Sequence, residues 1–91
     1  MFTFDLTDVL RKKLKKLGKK DKVLANNFYK KINEIIQKDI NSIHTYKNLK
    51  SPMNEYKRIH LTDNFILLFI VEIKNKHIVF INIKHRKSVY K

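Results

Sequence analysis

Phe65-Ile66-Leu67-Leu68-Phe69-Ile70-Val71 is the stretch on which the fold turns, an unbroken apolar run rich in strand-forming residues. Side chains alternate between the two faces of a strand, so a run that is apolar at every position marks a central strand covered on at least part of each side. Polar turn-forming residues bound it, Leu61-Thr62-Asp63-Asn64 before and Lys74-Asn75-Lys76 after. Beyond these turns lie two further strand-like segments, Tyr56-Lys57-Arg58-Ile59-His60-Leu61 and Ile78 to Ile83. Connections this short predict an antiparallel β-meander.

Upstream, the period changes. Leu6, Val9, Leu10, Leu14 and Leu17 recur at steps of three and four, giving a first helix one apolar face, while Arg11, Lys12, Lys13, Lys15 and Lys16 fill the remainder. Thr7 or Asp5 suits its start, and Gly18 suits the position just past its end. Asp21 opens a second helix whose stripe is Leu24, Phe28, Ile32, Ile35, Ile36 and Ile40. The two stripes are the natural cover for one face of the meander. Residues 41–54 lose periodicity and contain Ser51-Pro52, which marks a connection, and Met1 to Phe4 reads as a strand added to the sheet. The fold class is α+β in the order β-α-α-β-β-β with a short tail, residues 1–91 forming one domain.

Charge narrows the function. Against 8 acidic residues stand 21 lysines and arginines, a net charge of +13 in 91 residues, and self-repulsion on that scale calls for an anionic partner. Nucleic acid, an acidic protein and an anionic membrane all qualify, but no apolar run approaches the roughly 18 residues of a membrane span. With no cysteine, disulfides and thiolate-bound zinc are excluded, and the histidines at 44, 60, 77 and 85 show no metal-ligand spacing. The start of the chain lacks the pattern of a signal peptide, so a cytoplasmic location is expected. No Gly-rich phosphate loop or nucleophile elbow is present.

The last third of the chain carries the candidate chemistry. Alternation along Tyr56 to Leu61 puts Tyr56, Arg58 and His60 on one face and Lys57, Ile59 and Leu61 on the other, with Ile59 and Leu61 looking toward the helices. The last strand runs into Lys84-His85-Arg86-Lys87-Ser88-Val89-Tyr90. RNA cleavage by its own 2′-hydroxyl needs a proton acceptor, a proton donor for the departing 5′-oxygen, and positive charge at the phosphate. Histidine titrates nearest neutrality and can fill either proton-transfer role, arginine offers phosphate a planar fork, and tyrosine can stack on a base. A lone surface histidine on a lysine-rich sheet is more often simply solvated.

The whole chain resembles the RelE/ParE superfamily of toxins from type II toxin–antitoxin systems. The resemblance rests on Tyr46-Lys47-Asn48-Leu49-Lys50, Glu55 to Leu61, the apolar strand from Asn64 to Val71, and above all the ending Ile83-Lys84-His85-Arg86-Lys87-Ser88-Val89-Tyr90. It implies the RelE-like fold, a ribosome-dependent, metal-independent endoribonuclease that cuts mRNA and needs no cofactor, and an acidic RelB-like antitoxin as partner. Carried onto this sequence, the basic catalytic strand position falls on Arg58, the next outward position on His60, the C-terminal cation on Arg86 beside His85, and the substrate-contacting aromatic on Tyr90. The two histidines look more like the YafQ branch than the lysine-using RelE branch. Lys47, Lys57, Lys84, Lys87 and the lysines of the first helix are then RNA-binding candidates.

The sequence departs from both branches. The central-strand arginine of RelE proper corresponds to Ile66, and the aspartate that YafQ-like chains place before that strand corresponds to Asn64, with Asp63 one residue away. The same superfamily also contains ParE-like toxins that inhibit DNA gyrase without cleaving RNA. Those chains usually lack a histidine and arginine set at these strand positions. A plain basic RNA-binding module is the third alternative.

Overall fold

The computed structural model describes residues 1–49 and 55–89, so Ser51-Pro52 and Tyr90 fall outside the described residues. β1 (Thr3–Leu6) leads into α1 (Asp8–Lys20) and α2 (Lys22–Ile36), followed by a single-turn α3 (Ile40–Ile43). Then come β2 (Lys57–His60), β3 (Phe65–Glu72), β4 (His77–His85) and a single-turn α4 (Arg86–Val89). The sheet order is β1-β4-β3-β2, with β1 parallel to β4 and both meander pairs antiparallel. The meander and the added N-terminal strand are therefore both present.

β3 is covered on both faces, as its apolar run requires. On one face Leu67 and Phe69 join Ile78, Phe80 and Ile83 of β4 beneath Leu10, Leu14, Leu24, Phe28, Ile32 and Ile35 of the two helices. On the other, Ile66 and Leu68 pack with Leu49, and Tyr56, Ile81 and Val89 close the cluster. Burying an Ile, Leu or Phe side chain is worth roughly 1.5–3 kcal/mol, so β3 makes a large contribution to both layers. Residues 47–49 add to the sheet beyond β2, with the Leu49 N–H on the Tyr56 carbonyl and the Arg58 N–H on the Lys47 carbonyl, each 2.9 Å.

Thr7 and Lys13 fasten α1 to the edge of β4. The Thr7 hydroxyl accepts the Leu10 N–H (3.2 Å), which caps the helix, and donates to the Ile81 carbonyl (2.6 Å). The Lys13 ammonium donates to the Ile83 carbonyl (2.6 Å). These bonds satisfy the β4 edge where β1 has ended. Register slips between Leu68 and Phe69, whose partners are Asn82 and Phe80, so Ile81 is the extra residue of a β-bulge beside this attachment.

Several boundaries differ from the sequence reading. Gly18 lies inside α1, which continues to Lys20 and ends without a left-handed residue. Asp21 alone joins the helices: its N–H donates to the Leu17 carbonyl (2.8 Å), and its carboxylate caps α2 through the Leu24 N–H (3.0 Å). Val9, expected on the apolar face, is 59% exposed. Ile40 belongs to α3 instead of α2, because the Asp39 carboxylate takes the Ser42 N–H (2.7 Å) and starts a separate turn. β4 runs two residues past Ile83, and the tail forms α4.

A methyl group at Gly18 meets nothing within 4 Å. Gly18→Ala is therefore expected to stabilise the protein by about 0.5–1 kcal/mol, through the lower entropy cost of holding alanine in a helix. Urea unfolding checks this; a lower midpoint for the variant would contradict a helix continuous through residue 18.

Candidate active cleft and nucleic-acid interface

The turn between β2 and β3 is built before any charge is placed on it. The Leu61 N–H donates to the Phe65 carbonyl (2.9 Å), and the Thr62 hydroxyl accepts the N–H groups of Asn64 (3.3 Å) and Phe65 (3.2 Å). From α2, the Asn27 side-chain amide donates to the Leu61 carbonyl (3.0 Å), tying the turn to the helical layer. From the other side, the Arg86 N–H donates to the Asn64 carbonyl (2.8 Å) and sets the start of α4 against the same turn. His60, Leu61, Thr62, Asp63, Asn64 and Arg86 consequently line one open cleft of about 810 Å³.

Strand register sorts the remaining candidates by face. His60 pairs with Ile66 and Ile66 with Lys84; Arg58 pairs with Leu68 and Leu68 with Asn82. Arg58, His60 and Lys84 thus share the face away from the helices, across a floor of Ile66 and Leu68. Ile66 is fully buried there, so the position where RelE proper carries an arginine is occupied by core. Next to the phosphate-binding candidates this leaves a cleft with one imidazole, one exposed guanidinium at its rim, and further cations on the adjoining face.

His85 lies on the opposite face from His60. It pairs with Phe65, whose ring it meets edge-on at 5.4 Å, and its Nδ1 accepts the Lys87 N–H (3.2 Å). That bond leaves Nε2 to carry the proton of the neutral ring. With Lys13, Leu17, Leu24, Phe65, Ile83, Lys84 and Ser88 it lines a second groove of about 450 Å³ on the helix side. The expectation of two histidines acting together therefore needs correction: His85 faces the helix side, opposite His60, while Lys84 alternates to the His60 face in the strand register with its side chain also lining this groove. Tyr90 lies outside the described residues. Lys47 and Lys87 are exposed.

Lys57 is a second correction. It is 9% exposed, and its ammonium donates to the Tyr46 carbonyl (3.0 Å) and to the Asn48 side-chain oxygen (2.9 Å). Its partners hold the 46–48 segment against β2, where the Tyr46 ring packs edge-on against Phe69 at 5.7 Å. Burial pushes the Lys57 ammonium below the ordinary lysine range, and burial with the nearby charge of Lys84 does the same to Lys13. Lys57 is placed to hold the 46–48 segment against β2.

Asn27 was not singled out from the sequence, although it sits in a helix as a poor helix former, a pattern that fits a side chain with a specific partner. Among the described residues, no three His, Asp or Glu side chains converge as a metal-ligand group. Nor is any described helix long and apolar enough to cross a membrane.

Comparison with known proteins yields matches over the full length. A Methanocaldococcus jannaschii protein that carries the toxin name RelE4 is 37% identical over 91 residues, spanning all of this chain and 93% of the relative. Among solved structures, YafQ from Escherichia coli superposes with a TM-score of 0.72 at 15% identity, covering the whole of both chains. The toxin of the intact Escherichia coli RelBE toxin–antitoxin complex superposes with a TM-score of 0.66 at 19% identity, over 91% of this chain and 94% of that one. No family profile matches the chain.

Lys57→Ala is expected to cost about 1–3 kcal/mol at neutral pH, by leaving the Tyr46 carbonyl and the Asn48 side chain without their donor. Because folding lowers the proton affinity of Lys57, the unfolded chain binds more protons between the depressed value and the ordinary one. The wild type should then gain stability relative to the variant as pH rises through that window. Urea unfolding across alkaline pH measures both effects, and a pH-independent difference would show that the ammonium is not desolvated.

Proposed function

We propose an mRNA-cleaving activity for this chain, which belongs to the RelE/ParE superfamily of type II toxin–antitoxin toxins. The observation that carries the proposal is the shared cleft of His60 and Arg86, with Arg58 and Lys84 on the adjoining sheet face. In this reading the neutral His60 imidazole accepts the proton of the attacking 2′-hydroxyl. The Arg86 guanidinium lies against the phosphate and gains most from it as negative charge gathers on the non-bridging oxygens. Arg58 and Lys84 hold flanking phosphates, and Tyr90 contacts the substrate. The 2′-oxygen bonds to phosphorus, the bond to the 5′-oxygen breaks, and that oxygen takes up a proton from solvent water in the open cleft. The reaction is metal-independent.

The substrate is mRNA held on the ribosome in the cytoplasm, and the neutralising partner is an acidic antitoxin that offsets part of the +13 charge. The far-face position of His60 supports it, rather than His85, as the group that takes the 2′-hydroxyl proton.

Single variants assayed on translating ribosomes test the assignment. His60→Ala is expected to slow mRNA cutting about 10²–10⁴-fold, and Arg86→Ala about 10²–10³-fold, both with unchanged circular dichroism. His85→Ala should cut within a few-fold of wild type. Rapid cutting by His60→Ala with none by His85→Ala would reverse the assignment. Growth arrest with intact mRNA and inhibited DNA gyrase would replace the nuclease reading altogether.

A further inference from the structure

We infer that the helix-side groove is a lysine-acylation site: it takes a short-chain acyl phosphate, with the acyl group over its apolar lining and the phosphate toward Lys84, and the Lys13 amine receives the acyl group. The inference does not depend on the RNA reading, and it concerns the opposite face of the sheet from His60. The lining of this groove combines two chemistries. Leu24 and Ile83 are buried, Leu17 and Phe65 are half-buried, and together they give it apolar walls, while Lys13, Lys84 and His85 supply its charge and hydrogen-bonding groups. Among its described lining residues none is acidic. A volume of about 450 Å³ is within the range of small-molecule sites. Apolar walls beside cations select an anion that carries a short hydrocarbon chain, and an acyl phosphate is divided in just that way.

Lys13 differs from the other lysines of α1. Lys12, Lys15, Lys16, Lys19 and Lys20 are exposed, whereas Lys13 is half-buried and its amine is fixed by the 2.6 Å bond to the Ile83 carbonyl. A fixed amine is a better placed nucleophile than one at the end of a freely rotating chain. Burial, and then the charge of Lys84, hold its ammonium below the ordinary lysine range, so a larger fraction is the neutral amine that attacks. That amine keeps one N–H on the Ile83 carbonyl while its lone pair meets the acyl carbon. Lys57 is also held below the ordinary range, but it is 9% exposed and bonded to two acceptors, so it is closed to reagents in the folded protein.

In the step itself the Lys13 nitrogen bonds to the acyl carbonyl carbon, and the bond from that carbon to the phosphate oxygen breaks. The proton shed by the nitrogen goes to the departing phosphate. His85, whose Nδ1 is occupied by the Lys87 N–H, carries its ring proton on Nε2 and gives the groove a donor for the oxygen anion of the tetrahedral intermediate. The product is an uncharged amide whose acyl chain covers Leu17 and Phe65.

Site-resolved mass spectrometry of the full chain during brief exposure to butyryl phosphate at neutral pH tests the inference, with the exposed lysines of α1 as internal references. Lys13 is expected to be acylated at least about threefold faster than Lys12, Lys15 and Lys16, and this preference should disappear in urea. With acetyl phosphate the preference should be smaller, because the shorter chain covers less of the apolar lining. Lys84→Gln should slow acylation of Lys13 and leave the reference lysines unchanged. Acylation of Lys13 no faster than its neighbours would overturn the inference. A preference of equal size for the acetyl and butyryl reagents would overturn the apolar seat of the chain, and one unchanged in Lys84→Gln, or equally large with a butyryl thioester, would overturn the seat of the phosphate.

Discussion

Burial of β3 on both faces is the constraint from which the rest of the molecule follows. An eight-residue strand, Phe65–Glu72, cannot expose both its Ile66/Leu68 side and its Leu67/Phe69 side without uncovering four buried side chains and the partners packed on them. The two helices meet the second requirement. The first is met by Leu49, Tyr56, Ile81 and Val89, drawn from the long connection, from the turn into β2, from the bulge and from α4. The far face is therefore apolar at its centre, and its cations are displaced to the strand ends. That displacement is what gathers His60 and Arg86 around the β2–β3 turn.

Much of this was legible in the sequence, and the failures have common physical causes. The helical stripes, the meander and the central strand were readable because each repeats a period over many residues. Asp21 was readable as a cap because an acidic residue before an apolar run has few other local uses. Gly18 misled because glycine is permissive, and a rule about where it is helpful does not say where it is tolerated. Lys57 misled for a related reason. A lysine between Tyr56 and Arg58 looks like part of a basic surface, and only the tertiary structure supplies the Tyr46 carbonyl and Asn48 side chain that draw it inward.

The candidate site was legible by residue type and only partly by placement. Alternation along β2 put Arg58 and His60 on the outward face, as observed. Along the end of β4 the same rule separates Lys84 from His85, but applying it requires the register with β3, and that depends on the bulge at Ile81. Without the bulge, every later side chain of β4 changes face. The anchor from Asn27 to Leu61 was invisible because it links residues 34 positions apart.

The central claim is that His60, at the turn, is the imidazole that meets the scissile phosphate. The direct measurement is the two-dimensional NMR signal of the four imidazoles during titration with a short single-stranded RNA carrying 2′-O-methyl groups, which binds without being cut. The account predicts that the His60 resonance shifts progressively while those of His44, His77 and His85 stay close to their free positions. A saturable shift of His85 with His60 unmoved would contradict it and move the chemistry to the helix-side groove.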